Sequence, residues 1–373
     1  MNDALDALKA ARASLAKPNG PLAPAYKRLA EDAAKAREQR PLSVLDKKKG
    51  LAGADPHDYV SYAPYFWPDP SKPGGLPFVR KDGQRNREQV ALGDQDGAGA
   101  VKRAISALGL SCFFDPRPSD AERARLLLRT WFLDPKTRMN PNLNHGQAVP
   151  GGVPGRKEGV IEWRDLAPML TSLTVLEASP IWTDADRREM RGWLTEFYAW
   201  LSASKLGVAE RNARNNHGCW YDVLALALAQ HLGKGADAQK IIQNFQKRVE
   251  KQIAPDGRLP EELSRADSWG YSTFALTAML HVCTLAERYG VELWSGADGR
   301  RLRSALDYLV PFALEGKTWP HENDPAHKVE PGKLALPLLL AARGFNDAGY
   351  RKALERLPKP DWETLRERLL IAR

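Results

Sequence analysis

Apolar residues recur with helical spacing along much of the chain, and polar helix starts precede two of these runs. Thr183-Asp-Ala-Asp186 has the form of a capped helix start, because a threonine side chain can accept a hydrogen bond from a free backbone amide of the first turn. Ser119-Asp-Ala-Glu122 is a second capping box, before a run that extends to Phe132. The run after Thr183 carries these apolar positions: Met190, Trp193, Leu194, Phe197, Tyr198 and Leu201. One apolar and one polar face predict half-exposed helices.

Other segments are apolar on nearly every side. Residues 223–229 and 274–286 contain almost no polar position, so helices formed by them must be buried on most faces. Strand patterns are scarce, and we expect about ten to fourteen helices. Further helices are predicted at 3–16, 22–39, 97–109, 161–178, 236–251, 298–313, 333–343 and 361–372.

A mixture of fully apolar and amphipathic helices is typical of an inner layer of buried helices inside an outer layer. We therefore predict an all-α fold, an (α/α) toroid or barrel of roughly six to seven helical hairpins with long loops rich in proline and aromatic residues. No short internal repeat is visible, which disfavours an open solenoid. We predict a single domain over residues 1–373, with N-terminal helices in 1–50 and a helical body in 97–373.

Residues 55–88 differ from the rest of the chain in composition. Six prolines and six aromatic residues are interspersed there, so the segment cannot be helical, and it is too aromatic for disorder. We predict an ordered extended loop, which serves either as a structural strap or as a set of aromatic surfaces that hold sugar rings. A second loop, residues 139–155, is rich in proline, glycine and asparagine.

Composition narrows the classes of partner. The 373 residues include 55 Lys+Arg against 46 Asp+Glu, a net charge of +9. These cations are spread along the chain, which favours diffuse attraction to a polyanion over sequence-specific binding of nucleic acid. No apolar run is long enough to span a bilayer. Three isolated cysteines argue against a disulfide framework and against a cysteine zinc site.

The first residues of the sequence bear on its location. Met1-Asn-Asp-Ala-Leu5 lacks the basic start and apolar core of a signal peptide. Either the protein is cytoplasmic or a signal peptide has been removed from the sequence, and we expect a periplasmic or secreted protein. No feature specifies an oligomeric state, and a monomer is compatible with the sequence.

Several reaction classes lack their usual residues. No Walker loop, dinucleotide-binding glycine motif or Gly-x-Ser-x-Gly elbow is present, so nucleotide chemistry and the commonest serine hydrolase chemistry have no support. His321 and His327 could share a metal ion with Glu322, but no helical His-x-x-x-His or paired-cysteine motif accompanies them. We predict a reaction without a catalytic metal or cofactor.

Carboxylates leave a glycoside hydrolase as an alternative. Glu162 and Asp165 flank a tryptophan, and Glu261 and Glu262 follow a turn. A glycoside hydrolase needs an acid and a base at a set separation, and no spacing here demands that arrangement. Acidic residues near helix starts also serve as caps and dipole partners.

Two segments combine polar side chains that suit one reaction. Asn215-Asn-His217 offers amides and an imidazole, and Arg265-Ala-Asp-Ser-Trp-Gly-Tyr271 offers a guanidinium and a phenol. In β-elimination across a uronic acid, the C5 proton is weakly acidic because the adjacent carboxylate already carries charge. Donors that neutralise this carboxylate stabilise the charge that develops as the proton leaves. A tyrosine beside an arginine can take the C5 proton and protonate the leaving O4.

Four motifs, in this order, resemble the alginate lyase domain superfamily. They are Tyr62-Ala-Pro-Tyr-Phe-Trp-Pro-Asp-Pro70 with Gly75-Leu-Pro-Phe-Val-Arg-Lys-Asp-Gly83, Met139-Asn-Pro-Asn-Leu-Asn144, Asn215-Asn-His-Gly-Cys-Trp-Tyr-Asp222 and Arg265-x5-Tyr271. The resemblance spans Asp55 to Asn323. It is closest to polysaccharide lyase family 38, and family 5 is more distant. The resemblance implies an α/α toroid, the fold that the helix pattern predicts independently.

The resemblance also implies roles for individual residues. Asn216 and His217 would neutralise the carboxylate at the +1 subsite, aided by Arg265. Tyr271 would be base and acid when the proton and the leaving group lie on the same face of the ring. When they lie on opposite faces, His217 would be the base and Tyr271 the acid. The weaker candidates, for substrate contacts, are Asn144, Gln147, Tyr62, Trp220 and Asn215.

Each of these candidates also has a purely structural interpretation. Asn215 could simply cap the helix that follows it, and Trp220 could belong to the core. Arg265 and Tyr271 could form an ordinary arginine–aromatic packing pair.

We therefore predict a polysaccharide lyase whose partner is an acidic polysaccharide and not a nucleic acid. It would cleave alginate, polymannuronate or glucuronan by metal-independent β-elimination, leaving a 4,5-unsaturated uronate at the new non-reducing end. The alternatives are a glycoside hydrolase on the same fold and a non-catalytic polyuronate-binding protein. Residue spacing does not specify the preferred uronate, the stereochemistry of elimination, or endo against exo action.

Overall fold

The computed structural model describes residues 2–16 and 20–372 of the chain. Helices dominate this part, and its strands form two short pairs within loops. The backbone divides into two compact units. The central unit is Ala30–Asn212, and the terminal unit combines Met1–Leu29 with Ala213–Arg373. The single domain predicted over 1–373 stays a prediction.

In the described residues, the longer helices follow the predicted positions closely, and additional short ones raise the total to seventeen α-helices, above the ten to fourteen expected. The α-helices are numbered in chain order. They are α1 Asn2–Leu15, α2 Ala23–Glu38, α3 Arg87–Val90, α4 Gln95–Phe114, α5 Pro118–Leu128, α6 Leu166–Glu177, α7 Asp184–Ala203, α8 Lys205–Arg211, α9 Asn216–His231, α10 Gly235–Gln252, α11 Pro260–Leu263, α12 Ser268–Ala286, α13 Gly296–Leu314, α14 Ala335–Gly344, α15 Ala348–Glu355, α16 Lys359–Glu363 and α17 Glu367–Leu370. Short 3-10 helices lie at Val44–Asp46, Pro73–Gly75, Lys157–Trp163, Glu287–Tyr289 and Pro331–Leu334, and a π-helical turn lies at Arg129–Leu133.

The capped start of α7 is confirmed. The Thr183 side chain accepts from the backbone amide of Asp186, and the Asp186 side chain accepts from the amide of Thr183 in return. The Asp186 carboxylate also binds the guanidinium of Arg125, at 2.7 Å. Buried positions along α7 follow the predicted apolar face.

The capping box predicted at Ser119 is wrong. Helix α5 begins two residues earlier than that cap implies, at Pro118, and its N-cap is Arg117 without a side-chain bond. Proline is pre-organised for the first helical position, which moves the start upstream. Asp120 is fully buried and pairs with Arg37, so this carboxylate fixes a tertiary contact.

The loop predicted over 55–88 is ordered, and it contains no α-helix before α3 begins at Arg87. It contains strand β1 Val60–Tyr62, which pairs in parallel with β4 His145–Ala148 of the second predicted loop. Strands β2 Phe66–Trp67 and β3 Val79–Arg80 form an antiparallel pair. Backbone pairing therefore ties the two loops to each other.

The terminal unit separates buried from amphipathic helices as the pattern predicts. Helices α9 and α12 are buried on most faces, and they pack against each other. Helix α10 has one buried face and forms a hairpin with α9 through a short connection. No helix of the described part of the chain is both long and apolar enough to cross a bilayer.

The helix predicted over 361–372 is divided in two. Helix α16 ends at Glu363, and α17 begins at Glu367. The backbone amide of Leu365 bonds to the carbonyl of Trp362, only three residues earlier, at 3.2 Å. This tighter turn interrupts the α-helical bonding pattern, so the apolar periodicity continues across a break.

Candidate active site

The start of helix α9 positions His217. Asn215 is the N-cap: its backbone is extended and its side-chain Oδ1 accepts from the backbone amide of His217 at 3.3 Å. The cap interpretation of Asn215 is therefore confirmed. His217 lies in the first turn of α9 and is half-buried, near the positive end of the helix dipole.

Tyr271 lies in the first turn of helix α12. Asp267 caps this helix by accepting from the backbone amide of Gly270 at 2.8 Å. One turn further in, the ring of Phe274 lies 4.8 Å from that of Trp220 on α9. The two helices thus begin at the same end of the unit, which brings two positive helix ends to one place and favours negative charge there.

The Arg265 guanidinium lies over the face of the Tyr271 ring. The guanidinium carbon is 3.8 Å from the ring centroid, well inside the range of a cation–π contact. Both side chains are half-buried, so each keeps surface for a further partner. The structure therefore brings together the cation and the phenol that the sequence pairs.

Glu262 holds Asn216 beneath this surface. Asn216 is fully buried, its side-chain Nδ2 donates to Glu262 Oε2 at 2.8 Å, and its backbone amide donates to Oε1 of the same carboxylate. The buried Oδ1 of Asn216 has no hydrogen-bond partner among the described residues. Asn216 thus presents no surface to a ligand in this structure, against the expectation that it contacts a substrate carboxylate directly.

The Glu262 carboxylate is nearly inaccessible to solvent, at 1% exposure. Burial raises its pKa, while the hydrogen bonds from Asn216 and the charges of Arg265 and His217 oppose that rise. Glu262 is therefore a buried acid within electrostatic reach of two proposed functional side chains. Sequence spacing did not reveal this role, because Glu262 and Asn216 meet only through the tertiary fold.

Two further residues of the Asn215–Asp222 motif, Gly218 and Asp222, hold Arg248 against the start of α9. The Arg248 guanidinium donates to the Ala213 carbonyl at 2.6 Å and pairs with the Asp222 carboxylate at 2.7 Å. A Cβ atom at Gly218 would lie 2.1 Å from this guanidinium. It would also lie 2.3 Å from the backbone carbonyl oxygen of Ala213, which cannot move aside as a side chain can, so glycine is required there.

Trp220 belongs to the core of the terminal unit. Only 9% of its surface is exposed, and its ring packs against Phe274 and against His281, whose centroid is 6.1 Å away. Burial lowers the pKa of His281, which favours a neutral core histidine. These contacts agree with the structural interpretation of Trp220.

The other three candidates lie in the central unit. Tyr62 is buried, and its hydroxyl donates to the Gly50 carbonyl at 3.2 Å. Gln147 is also buried, with its backbone amide donating to Ser61 Oγ at 2.7 Å. Asn144 is exposed, and its Oδ1 accepts from the Trp200 indole at 2.8 Å. Tyr62 and Gln147 therefore serve the core, and Asn144 alone of the three presents surface.

Two of the carboxylates that could serve a glycoside hydrolase, Glu162 and Glu262, are buried and bound by other side chains. Glu162 is buried and accepts from the hydroxyls of Tyr59 and Ser61, at 2.7 Å and 2.6 Å. Glu262 is bound to Asn216, and its neighbour Glu261 is exposed. Within residues 2–16 and 20–372, no group of three or more His, Cys, Asp or Glu side chains is arranged to hold a metal ion. The absence of a catalytic metal stays a prediction.

A cavity of about 900 Å³ opens in another part of the terminal unit. It lies between the end of α13, residues 329–333 and residues 356–361. Neither His217 nor Tyr271 lines it. One of its charged residues, Lys333, reaches the α12 cap, with its Nζ 3.4 Å from Asp267 Oδ2.

Comparison with known proteins places the chain in a family. The alginate lyase family model matches residues 43–319. The crystal structure of an alginate lyase from Bacteroides ovatus is 35% identical, with a TM-score of 0.89 over 98% of this chain and 97% of that one. Curated proteins gave no match.

More distant structures share the fold. Alginate lyase A1-III from Sphingomonas species A1 is 15% identical, with a TM-score of 0.55 over 92% of this chain and 94% of that one. A variant of A1-III in complex with a tetrasaccharide is also 15% identical, with a TM-score of 0.56 over 95% and 96% of the two chains. These likenesses confirm the predicted fold class, the α/α toroid of such lyases. Because the family model spans most of the sequence and a 35% identical structure nearly all of it, the chain belongs to the alginate lyase family and is a polysaccharide lyase.

Proposed function

We propose that this polysaccharide lyase cleaves alginate by β-elimination at the surface where helices α9 and α12 begin. The observation that carries the proposal is the Arg265 guanidinium, 3.8 Å above the Tyr271 ring. The similar solved structures are alginate lyases, which supports alginate as the substrate. Assignment to polysaccharide lyase family 38 stays a finer prediction.

Arg265 prepares both the substrate and the base. Its positive charge favours the ionised form of the neighbouring phenol, and its donor groups can also bind the uronate carboxylate. Neutralising that carboxylate lets negative charge spread into it as the C5 proton leaves. His217, half-buried at the positive end of α9, supplies a second donor.

Tyr271 then moves the protons. The phenolate oxygen takes the proton from C5, the electron pair forms the C4=C5 double bond, and the C4–O4 bond breaks. The phenol returns the proton to O4, which restores the phenolate and balances the reaction. If the proton and O4 lie on opposite faces of the ring, His217 takes the C5 proton and Tyr271 protonates O4.

Asn216 enters this proposal in a changed role. Its burial and its two bonds to Glu262 favour a part in positioning the start of α9, next to His217. Among the weaker candidates, only Asn144, in the central unit, is both polar and exposed. The net charge of +9 would assist the capture of a polyanion.

We also propose a periplasmic or secreted location, because a polymeric uronate does not cross a bilayer unaided. A charged chain of sugars has no favourable path through hydrocarbon. An enzyme that acts on the intact polymer must therefore meet it outside the cytoplasm.

The proposal is tested by offering purified protein polymers of mannuronate, guluronate and glucuronate. Cleavage by elimination produces a conjugated 4,5-unsaturated uronate, so ultraviolet absorbance should rise with at least one alginate block. Binding of an oligosaccharide without a rise in absorbance for any polymer would instead identify a polyuronate-binding protein. A rise only with the glucuronate polymer would support the lyase chemistry but identify glucuronan, and not alginate, as the substrate.

A further inference from the structure

The segment Trp319–Asn323 lies against the start of helix α12 and against the turn that carries Arg265. Trp319 is buried, and its indole donates to Ser268 Oγ at 2.8 Å. The Ser268 hydroxyl donates in turn to the carbonyl of His321. The Nε2 atom of His321 lies 2.8 Å from the Tyr308 hydroxyl oxygen, at hydrogen-bond distance. Side chains from two helices therefore fix this segment in place.

Asn323, at the end of the segment, reaches the turn itself. Its Nδ2 donates to the carbonyl of Leu263 at 2.6 Å and to the carbonyl of Arg265 at 2.8 Å. Both hydrogens of the amide are thus used on backbone acceptors, one at the last residue of the short helix α11 and one just after it. The residue is nevertheless exposed, so these two bonds, and not core packing, are its main contribution.

The turn that Asn323 binds carries Arg265, a residue of the proposed site. The amide of Arg265 donates to the carbonyl of Glu262 at 3.1 Å, and its own carbonyl accepts from Asn323. Both backbone polar groups of Arg265 are thereby held. The position of the guanidinium over Tyr271 follows from this constraint together with the cation–π contact.

We propose that Asn323 is a positioning residue of the lyase reaction, acting through Arg265. The inference rests on the proposed function, since it gives Arg265 the task of neutralising a carboxylate. Misplacement of a catalytic group by about 1 Å can cost up to about 100-fold in rate. Asn323 is too far along the chain to be linked to Arg265 by sequence spacing.

The test compares Asn323→Ala and Asn323→Asp with a matched control, Asn244→Ala. Asn244 is an exposed asparagine on α10 of the same unit. Asn323→Asp keeps the size of the side chain, removes both donors and turns a carboxylate towards the two carbonyl oxygens, so it breaks the same two bonds without loss of side-chain volume. We expect kcat to fall by about tenfold in both Asn323 variants, with KM changed by less than about threefold. The control should retain wild-type kcat.

A double-mutant cycle with Arg265→Lys separates positioning from a general structural effect. If Asn323 acts through Arg265, the loss from Asn323→Ala should largely disappear in the Arg265→Lys background. Equal losses of kcat in both backgrounds would overturn the inference, and so would an unchanged kcat in both Asn323 variants. The proposed function would still stand in either case, because the wild type would turn over the substrate.

A nuclear magnetic resonance measurement decides the structural claim even if the wild type turns over no uronate. The Arg265 guanidinium protons lie above an aromatic ring, so their resonances should be shifted by the ring current. Assignment uses Arg265→Lys. In Asn323→Ala these resonances should move towards those of solvent-exposed arginines, and an unchanged shift would contradict the positioning role.

Discussion

Two buried carboxylates, one in each unit, show how similar polar clusters can serve different ends. Glu162 in the central unit accepts hydrogen bonds from the hydroxyls of Tyr59 and Ser61, and both of these residues are buried. Glu262 in the terminal unit holds the buried Asn216, and the charges of half-buried Arg265 and His217 act on it. Burial raises the pKa of both carboxyls.

The difference lies in what surrounds each carboxylate. Around Glu162, the hydroxyl donors are buried, which is the pattern of a structural polar network. Around Glu262, a buried layer supports side chains that keep exposed surface, which is the pattern of a site prepared for a ligand. A perturbed carboxyl alone therefore does not distinguish a functional site from a structural one. Exposure of its neighbours does.

Tyr271→Phe should have the largest effect, because it removes the group that carries the proton. General acid–base catalysis contributes about 10²- to 10⁴-fold, and turnover should fall by that range. The ring and its contact with Arg265 remain, so the Kd for an oligosaccharide should change little. Absorbance assays and calorimetric titration measure the two quantities. Tyr289→Phe, in the same unit, is the control, and retained turnover in Tyr271→Phe would refute the assigned role.

Glu262→Gln should have an intermediate effect. A glutamine offers one acceptor oxygen where Asn216 presents two donors, so one buried donor loses its partner at a cost of about 1–3 kcal/mol. We expect a lower midpoint of thermal unfolding and a loss of about tenfold in kcat as the start of α9 shifts. Glu261→Gln changes the exposed neighbour and should leave both quantities unchanged. Equal behaviour of the two variants would remove Glu262 from the support of the site.

Tyr62→Phe probes the central unit, where we expect stability to change without catalysis. The variant loses the hydroxyl bond to the Gly50 carbonyl, worth about 0.5–1.5 kcal/mol. Turnover should stay within about twofold of wild type, because Tyr62 is buried and has no surface for a substrate. A strong increase in KM would return Tyr62 to the substrate contacts.

Asp94→Asn should have the smallest effect on activity and a defined effect on the pH dependence of stability. Burial raises the pKa of Asp94 to about 7, against the opposing influence of Lys47. The folded state thus holds this proton more tightly than the unfolded state. Its stabilisation is present below about pH 4 and is lost as the pH rises through about 7. Urea unfolding measures the free energy of unfolding at about pH 5 and at about pH 8. Between these two pH values, the free energy should fall less in the Asp94→Asn variant than in the wild type.

Local patterns predicted the elements of the fold well. The apolar periodicity after Thr183 specified the buried face of α7, and the all-apolar segments specified α9 and α12 as buried helices. The proximity of Arg265 to Tyr271, six residues apart, also followed from residue chemistry. These features depend on spacing within a few turns, which the sequence records directly.

Tertiary partners could not be predicted in the same way. The bond of Glu262 to Asn216 joins residues far apart in sequence, and Asn323 reaches Arg265 across a longer interval. Nor does spacing distinguish an exposed aromatic from a buried one, as Tyr62 demonstrates. Burial is decided by the whole fold, and it separated Asn216 and Tyr62 from the side chains that keep exposed surface.

The claim that this chain acts by elimination is tested most directly by the stoichiometry of its products. A defined mannuronate oligomer is incubated with purified protein in the presence of a chelator, and unsaturated ends and new reducing ends are counted together. Elimination predicts one unsaturated uronate for each new reducing end. New reducing ends without unsaturated uronate would show hydrolysis and would contradict the assignment of Arg265, His217 and Tyr271 to a lyase reaction.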